Sequence, residues 1–158
     1  MGRLAEQLGI SKATLYRWTG SREQLLGEVL AYFSEDGFDD AYEQTKELTG
    51  AERVLECLRR YMQTIVSMEA LRRFIQNETP LAIRVLTARG GPPQASAVRR
   101  ITLLLEEEEA RGLELRAPAD LLAYAITRVG EGFIYNEAIA DTQPEVDTAV
   151  DMMRLLVE

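Results

Sequence analysis

Apolar residues recur along this chain at helical spacing and nowhere at strand spacing. Val54, Leu55, Leu58, Met62, Ile65 and Val66 return every three or four positions, which gathers them on one side of a helix with about 3.6 residues per turn. The same period reappears in Leu25, Leu26, Val29, Leu30 and Phe33, and again in Val146, Ala149, Val150, Met153 and Val157. No stretch alternates apolar and polar side chains long enough to make a half-buried strand, and the dipeptides that turn β-hairpins are missing. An all-α fold follows.

Local start and stop signals divide this pattern. Leu4, Ala5 and Leu8 share a short helix that Gly9 stops. Ser11 is a good N-cap for a second helix reaching about Trp18, because its hydroxyl can accept an otherwise orphaned N–H. Ser21 and Gln24 form a capping-box pattern, predicting a third helix that buries Leu25 to Phe33 and runs on toward Tyr42. Thr49 and Glu52 repeat that pattern before a long helix, which ends near Ala70 or continues past a break to Gln76. Thr79-Pro80 opens a short helix over 80–88, and "RGGPP" (89–93) reads as a loop. The next helix spans Gln94 to Ala110 and stops at Gly112, another runs from Pro118 to about Ala140, and Pro144 starts the last, to Val157.

The 158 residues suffice for one domain, or one domain with a small appendage. An apolar content of 46% with 28% charged residues suits a soluble globular chain. Without a signal peptide or an apolar run near 18 residues, the sequence predicts a cytoplasmic protein. Cys57 stands alone and histidine is absent. That removes the usual general base, the Ser-His and Cys-His pairs and the common zinc ligands. The expectation is a non-enzyme with no metal and no cofactor. The acidic run "EEEE" (106–109) does not change this, since consecutive helical residues diverge in direction; it is expected to be a solvated face.

The formal charge is −8, yet residues 1–26 carry four basic residues against two acidic ones, and the remainder holds 14 basic against 24 acidic. A slightly positive head on an acidic body is compatible with nucleic-acid contact by the head alone. Helix, glycine turn, capped short helix is the helix-turn-helix plan, in which the second helix lays its first residues in the major groove. Lys12 and Thr14 stand at that helix start as donors, Tyr16 offers a hydroxyl to a phosphate, and Arg22 follows the Ser21 cap. Leu4, Ala5, Leu8, Ile10 and Leu15 are expected to hold the helix pair together.

The stretch "LAEQLGISKATLYRWTGSREQLL" resembles the DNA-binding signature of TetR-family transcriptional regulators, through Leu4-Ala5, Gly9-Ile10-Ser11, Thr14-Leu15-Tyr16, Trp18, Arg22 and Leu25. Its wording is most similar to the QsdR-like subgroup. The resemblance implies a TetR-like helix-turn-helix head over 1–32, and a helical-bundle effector-binding and dimerisation domain over 33–158. It implies that Lys12, Thr14 and Tyr16 face operator DNA, with Arg17 and Trp18 at the backbone and Arg22 in the place of the family's phosphate-binding lysine. It also implies a ligand-responsive regulator, most simply a repressor, released by a small apolar effector with a polar head such as a lactone. Two departures stand out. Thr19 replaces a buried phenylalanine, and the sequence begins where the family's second helix begins. A head truncated in this way is expected to expose Leu4, Leu8 and Leu15 and to bind DNA weakly.

In the body, polar or aromatic residues set within apolar stripes are the expected ligand contacts: Tyr61, Thr64, Phe74, Tyr124, Arg128, Glu131 and Tyr135, with Met68 beside them. Arg128 and Glu131 are also i, i+3 partners and could form a plain surface ion pair. Helices 118–140 and 144–157 are apolar on two sides: Met152, Leu155 and Leu156 lie off the main stripe of the last. Helices of this kind need a second partner, here a homodimer seam. The competing reading is a helical dimeric adaptor or sensor that never touches DNA.

Overall fold

A computed structural model describes residues 1–136, 138 and 142–158. Among the described residues the regular elements are all helical: α1 (Gly2–Gln7), α2 (Lys12–Thr19), α3 (Arg22–Gln44), α4 (Gly50–Ser67), α5 (Glu69–Asn77), α6 (Thr79–Thr87), α7 (Pro92–Ala110), α8 (Ala119–Ile134) and α9 (Val146–Val157). The all-α reading holds.

The head is built by short-range chemistry. Gly9 and Gly20 adopt φ of +65° and +70°, a region that glycine enters without steric cost, and so end α1 and α2. Ser11 Oγ accepts the Thr14 N–H at 3.0 Å, and Ser21 Oγ accepts that of Gln24 at 3.0 Å. Helix α1 packs on α2, and Ala5 of the first and Leu15 of the second are each 3% exposed. Leu15 is therefore not the open surface that the sequence suggests. Leu8 is, at 56% exposed.

At about 1.5 Å per residue, the 23 residues of α3 make a spine near 35 Å long from head to body. It packs on α7, α4 and α6. Its inner face differs from the expected one. Ala31, Ser34, Gly37, Phe38 and Ala41 are buried, while Val29 and Phe33 are half exposed. Gly37 lets the spine close on α4, since a Cβ there would lie 3.0 Å from Thr64 Cγ2.

The body core joins Leu58 and Met62 of α4, Leu104 and Leu105 of α7, Ile126 of α8, and Val150, Met153 and Val157 of α9, all nearly inaccessible. Several boundaries correct the sequence reading. The Thr49 side chain makes no cap bond, and the Gly50 N–H instead goes to Glu108 Oε2 at 2.6 Å. The long helix breaks at Met68, whose ψ of 101° is extended, and resumes as α5. Helix α7 begins at Pro92 rather than Gln94, because both prolines fit a first turn that needs no N–H donors. Helix α8 ends at Ile134, short of the expected Ala140; residues 137 and 139–141 lie outside the described set.

The glutamate run is not simply a solvated face. Glu108 is fully buried, and its Oε1 accepts from Nη1 of Arg53 at 2.5 Å. The same nitrogen reaches Glu107 Oε1 at 2.8 Å, and the Tyr42 hydroxyl donates to Glu107 Oε2 at 2.5 Å. These bonds hold the Glu107 carboxyl below the usual carboxylate range, the Tyr42 hydroxyl contributing most. The network closes the end of the body remote from the head.

Candidate functional site

Two features gather the residues singled out from sequence for binding: the outer surface of α2 and a cavity in the body. Because Ser11 caps α2 and Leu15 anchors its inner side, the opposite face must point away from the core. Lys12, Tyr16, Arg17 and Trp18 are all exposed, Arg17 opposite Leu15, Lys12 and Tyr16 on one flank and Trp18, at 66%, on the other. Lys12 Nζ sits 6.0 Å from the centroid of the Tyr16 ring, at the outer limit of a cation–π contact. Thr14 is partly buried and its hydroxyl is engaged with that of Ser11 at 2.9 Å. Arg22 stands apart from the other head cations. It forms a two-pronged ion pair with Glu78 at 2.7 and 2.6 Å, while Arg3, Lys12 and Arg17 have no ion pair among the described residues.

The cavity, of about 490 Å³, lies between α3, α4, α5, α7 and α8. Its walls are chiefly hydrocarbon, from Leu30 and Phe33 on α3, Met62 and Ile65 on α4, Phe74 on α5 and Ile101 on α7. Val29 and Phe33, which the sequence pattern assigns to the core, line it too, which explains a stripe both apolar and incompletely covered. The helix break at Met68 lets α5 fold across the cavity instead of continuing along α4.

Few polar groups interrupt the lining. The Ser34 and Tyr61 hydroxyls bond each other in the buried interior. Gln94 Nε2 donates to Glu131 Oε1 at 3.2 Å, while Gln94 Oε1 accepts from the Gly90 N–H at 3.1 Å. Glu131 also takes a hydrogen bond from Arg128, whose guanidinium reaches the Thr87 carbonyl at 3.1 Å. Tyr135 is 8% exposed, and its hydroxyl makes no hydrogen bond among the described residues. Burial raises the Tyr135 phenol, with Tyr61 and Glu131 adding to it, so it keeps its proton and can donate. Burial raises Tyr61 likewise, against the opposing bond from Ser34.

Of the residues singled out from sequence, Tyr61, Phe74, Glu131 and Tyr135 reach the cavity, as does Met68. Three others do not. Thr64 packs against Gly37, and Tyr124 lies between the Arg89 and Arg128 guanidiniums at 5.8 and 5.7 Å from its ring centroid. Arg128 makes the anticipated pair with Glu131, but as a support behind the wall. Ser34, Gln94 and Thr127 line the cavity without having stood out in the sequence. A serine inside the apolar α3 stripe is a usable signal for the first; Gln94 is masked by its place beside the double proline.

Comparison with known proteins matches this arrangement. The sequence profile described as "Tetracyclin repressor-like, C-terminal domain" matches residues 49–158. Among solved structures, the R. erythropolis transcriptional repressor QsdR, from the TetR family, is similar with a TM-score of 0.93 and 29% identity. That likeness covers 99% of this chain and 82% of the other. Comparison with the curated proteins finds no match. With the profile spanning well over half of its length, this chain belongs to the TetR family of transcriptional regulators.

Proposed function

We propose that this regulator is a homodimeric, DNA-binding repressor released from its operator by a small, largely apolar, uncharged effector. The observation that carries this reading is the role of α3, which begins in the head at Arg22 and lines the cavity with Leu26, Leu30 and Phe33. A molecule filling the cavity presses on the same helix that orients α2. In a two-headed dimer a small tilt of α3 changes the distance between reading helices, and DNA accepts only spacings near one helical turn, about 34–36 Å.

In this reading Lys12 and Thr14 meet base edges or phosphates at the start of α2. Tyr16, Arg17 and Trp18 rest on the sugar-phosphate backbone, and Arg22 takes a phosphate at the start of α3. The effector is uncharged because the two lining carboxylates, Glu131 and Glu69, are already paired with Arg128 and Arg73, and among the described residues no lysine or arginine lines the cavity to receive an anion. The Tyr135 hydroxyl, and the Ser34–Tyr61 pair, offer it a hydrogen bond.

Selection of duplexes from a random pool at low salt, followed by anisotropy titration, tests the reading. The chain should enrich a two-fold symmetric sequence. Lys12→Ala and Arg17→Ala should each weaken its binding about tenfold. Failure to retain any duplex would leave the alternative, a helical dimeric adaptor, as the better account.

A further inference from the structure

Two ion pairs cross from the first turn of α3 to α6 and the residue before it. Arg22 Nη1 and Nη2 point at the two carboxylate oxygens of Glu78, and Arg84 grips Glu23 at 2.5 Å. Arg22 is the first residue of α3, and Glu78 both follows α5 and caps α6. The side chains of Arg22 and Glu78 are 47% and 38% exposed, so the pair is not forced by burial and can open to solvent. Its two-pronged form matters chemically. A phosphate approaching arginine uses the same two parallel N–H groups that the Glu78 carboxylate now occupies. Both anions cannot hold that fork at once.

We propose that Glu78 is an internal substitute for a DNA phosphate: it competes with the backbone for Arg22, and the head reaches full DNA affinity when this pair opens. The proposal rests on the reading of the head as a DNA-binding element and adds its regulation. The second pair works in the opposite sense, since Arg84 neutralises Glu23, the carboxylate next to Arg22 that would repel an incoming phosphate. Helix α5 ends one residue before Glu78 and supplies Leu71 and Phe74 to the cavity, with Met68 at its start. Cavity occupancy and the reach of Glu78 are thereby linked through one short helix.

The test titrates a labelled duplex of about 30 base pairs, enriched by the chain itself, against the unaltered protein, Glu78→Gln, Arg22→Gln and the double variant over a salt series. Glu78 makes no side-chain cap bond to α6, so glutamine there leaves the helix start intact. Glu78→Gln should tighten binding about fivefold. Arg22→Gln should weaken it and lower the slope of log K against log salt by about 0.9 for each phosphate no longer neutralised. With Arg22 replaced, Glu78→Gln should have no further effect. If it tightens binding equally without Arg22, the gain is one of net charge alone and the proposal is overturned. An unchanged affinity for Glu78→Gln, alongside a loss for Arg22→Gln, overturns it too while leaving the DNA-binding reading in place. If no duplex is ever retained, that reading fails and the proposal falls with it.

Discussion

The guanidinium of Arg53 is 1% exposed and serves three helices at once. It pairs with Glu108 and Glu107 of α7, lies 4.6 Å from the centroid of the Tyr42 ring of α3, and belongs itself to α4. Its Nε has no hydrogen-bond partner among the described residues, so the network is strong but imperfect. A buried ion pair gains little over a well-packed apolar pair, yet breaking it from one side strands a charge. Arg53→Met should therefore destabilise the fold by about 3 kcal/mol in urea unfolding, leaving Glu108 with Arg111 and the Gly50 N–H. Arg53→Met combined with Glu108→Leu should recover part of that loss, though not all, because Glu108 also satisfies the start of α4. Equal losses in the single and double variants would show that the pair carries no such penalty.

At the scale of elements, the legible features are those decided within a turn or two of chain. Ser11 and Ser21 cap the helices that the sequence assigns them, because acceptor and donor lie three residues apart. Glu108 is illegible because its partner Arg53 is 55 positions away, and nothing local distinguishes it from Glu106 or Glu109. The break at Met68 is hard to locate for a related reason: no glycine or proline marks it, and the turn follows from α5 packing across a cavity rather than from propensity. That cavity can be probed through α7. Ala97 lines it, and Ala97→Trp should fill much of its volume without adding charge. A neutral environment-sensitive dye such as Nile red should bind the unaltered chain with one site per chain, and the tryptophan variant at least about tenfold more weakly. Equal uptake by both would place the dye elsewhere and remove the cavity from consideration as the effector site.

For the whole molecule, the proposed function turns on the outward faces of α8 and α9. On α9 the inward stripe of Ala149, Val150, Met153 and Val157 is at most 1% exposed, yet Met152 and Leu155 stand 48% and 69% exposed. Leu121 on α8 is 57% exposed as well. Helices that already bury one face in their own core and still present large apolar side chains fit a symmetric seam, in which each copy offers the same patch to the other. Under the proposed function, two heads on such a dimer would read two half-sites one turn apart, so association and DNA affinity should rise and fall together. In sedimentation equilibrium the chain should weigh about twice its 17.8 kDa. Leu121→Glu with Leu155→Glu should return it to the single-chain mass with unchanged helix content, because both side chains point away from the core. The same pair of changes should abolish the two-fold character of the enriched DNA and leave only salt-sensitive, nonspecific binding. A double variant that still sediments at the double mass would place the seam on another surface and detach the spacing mechanism from α8 and α9.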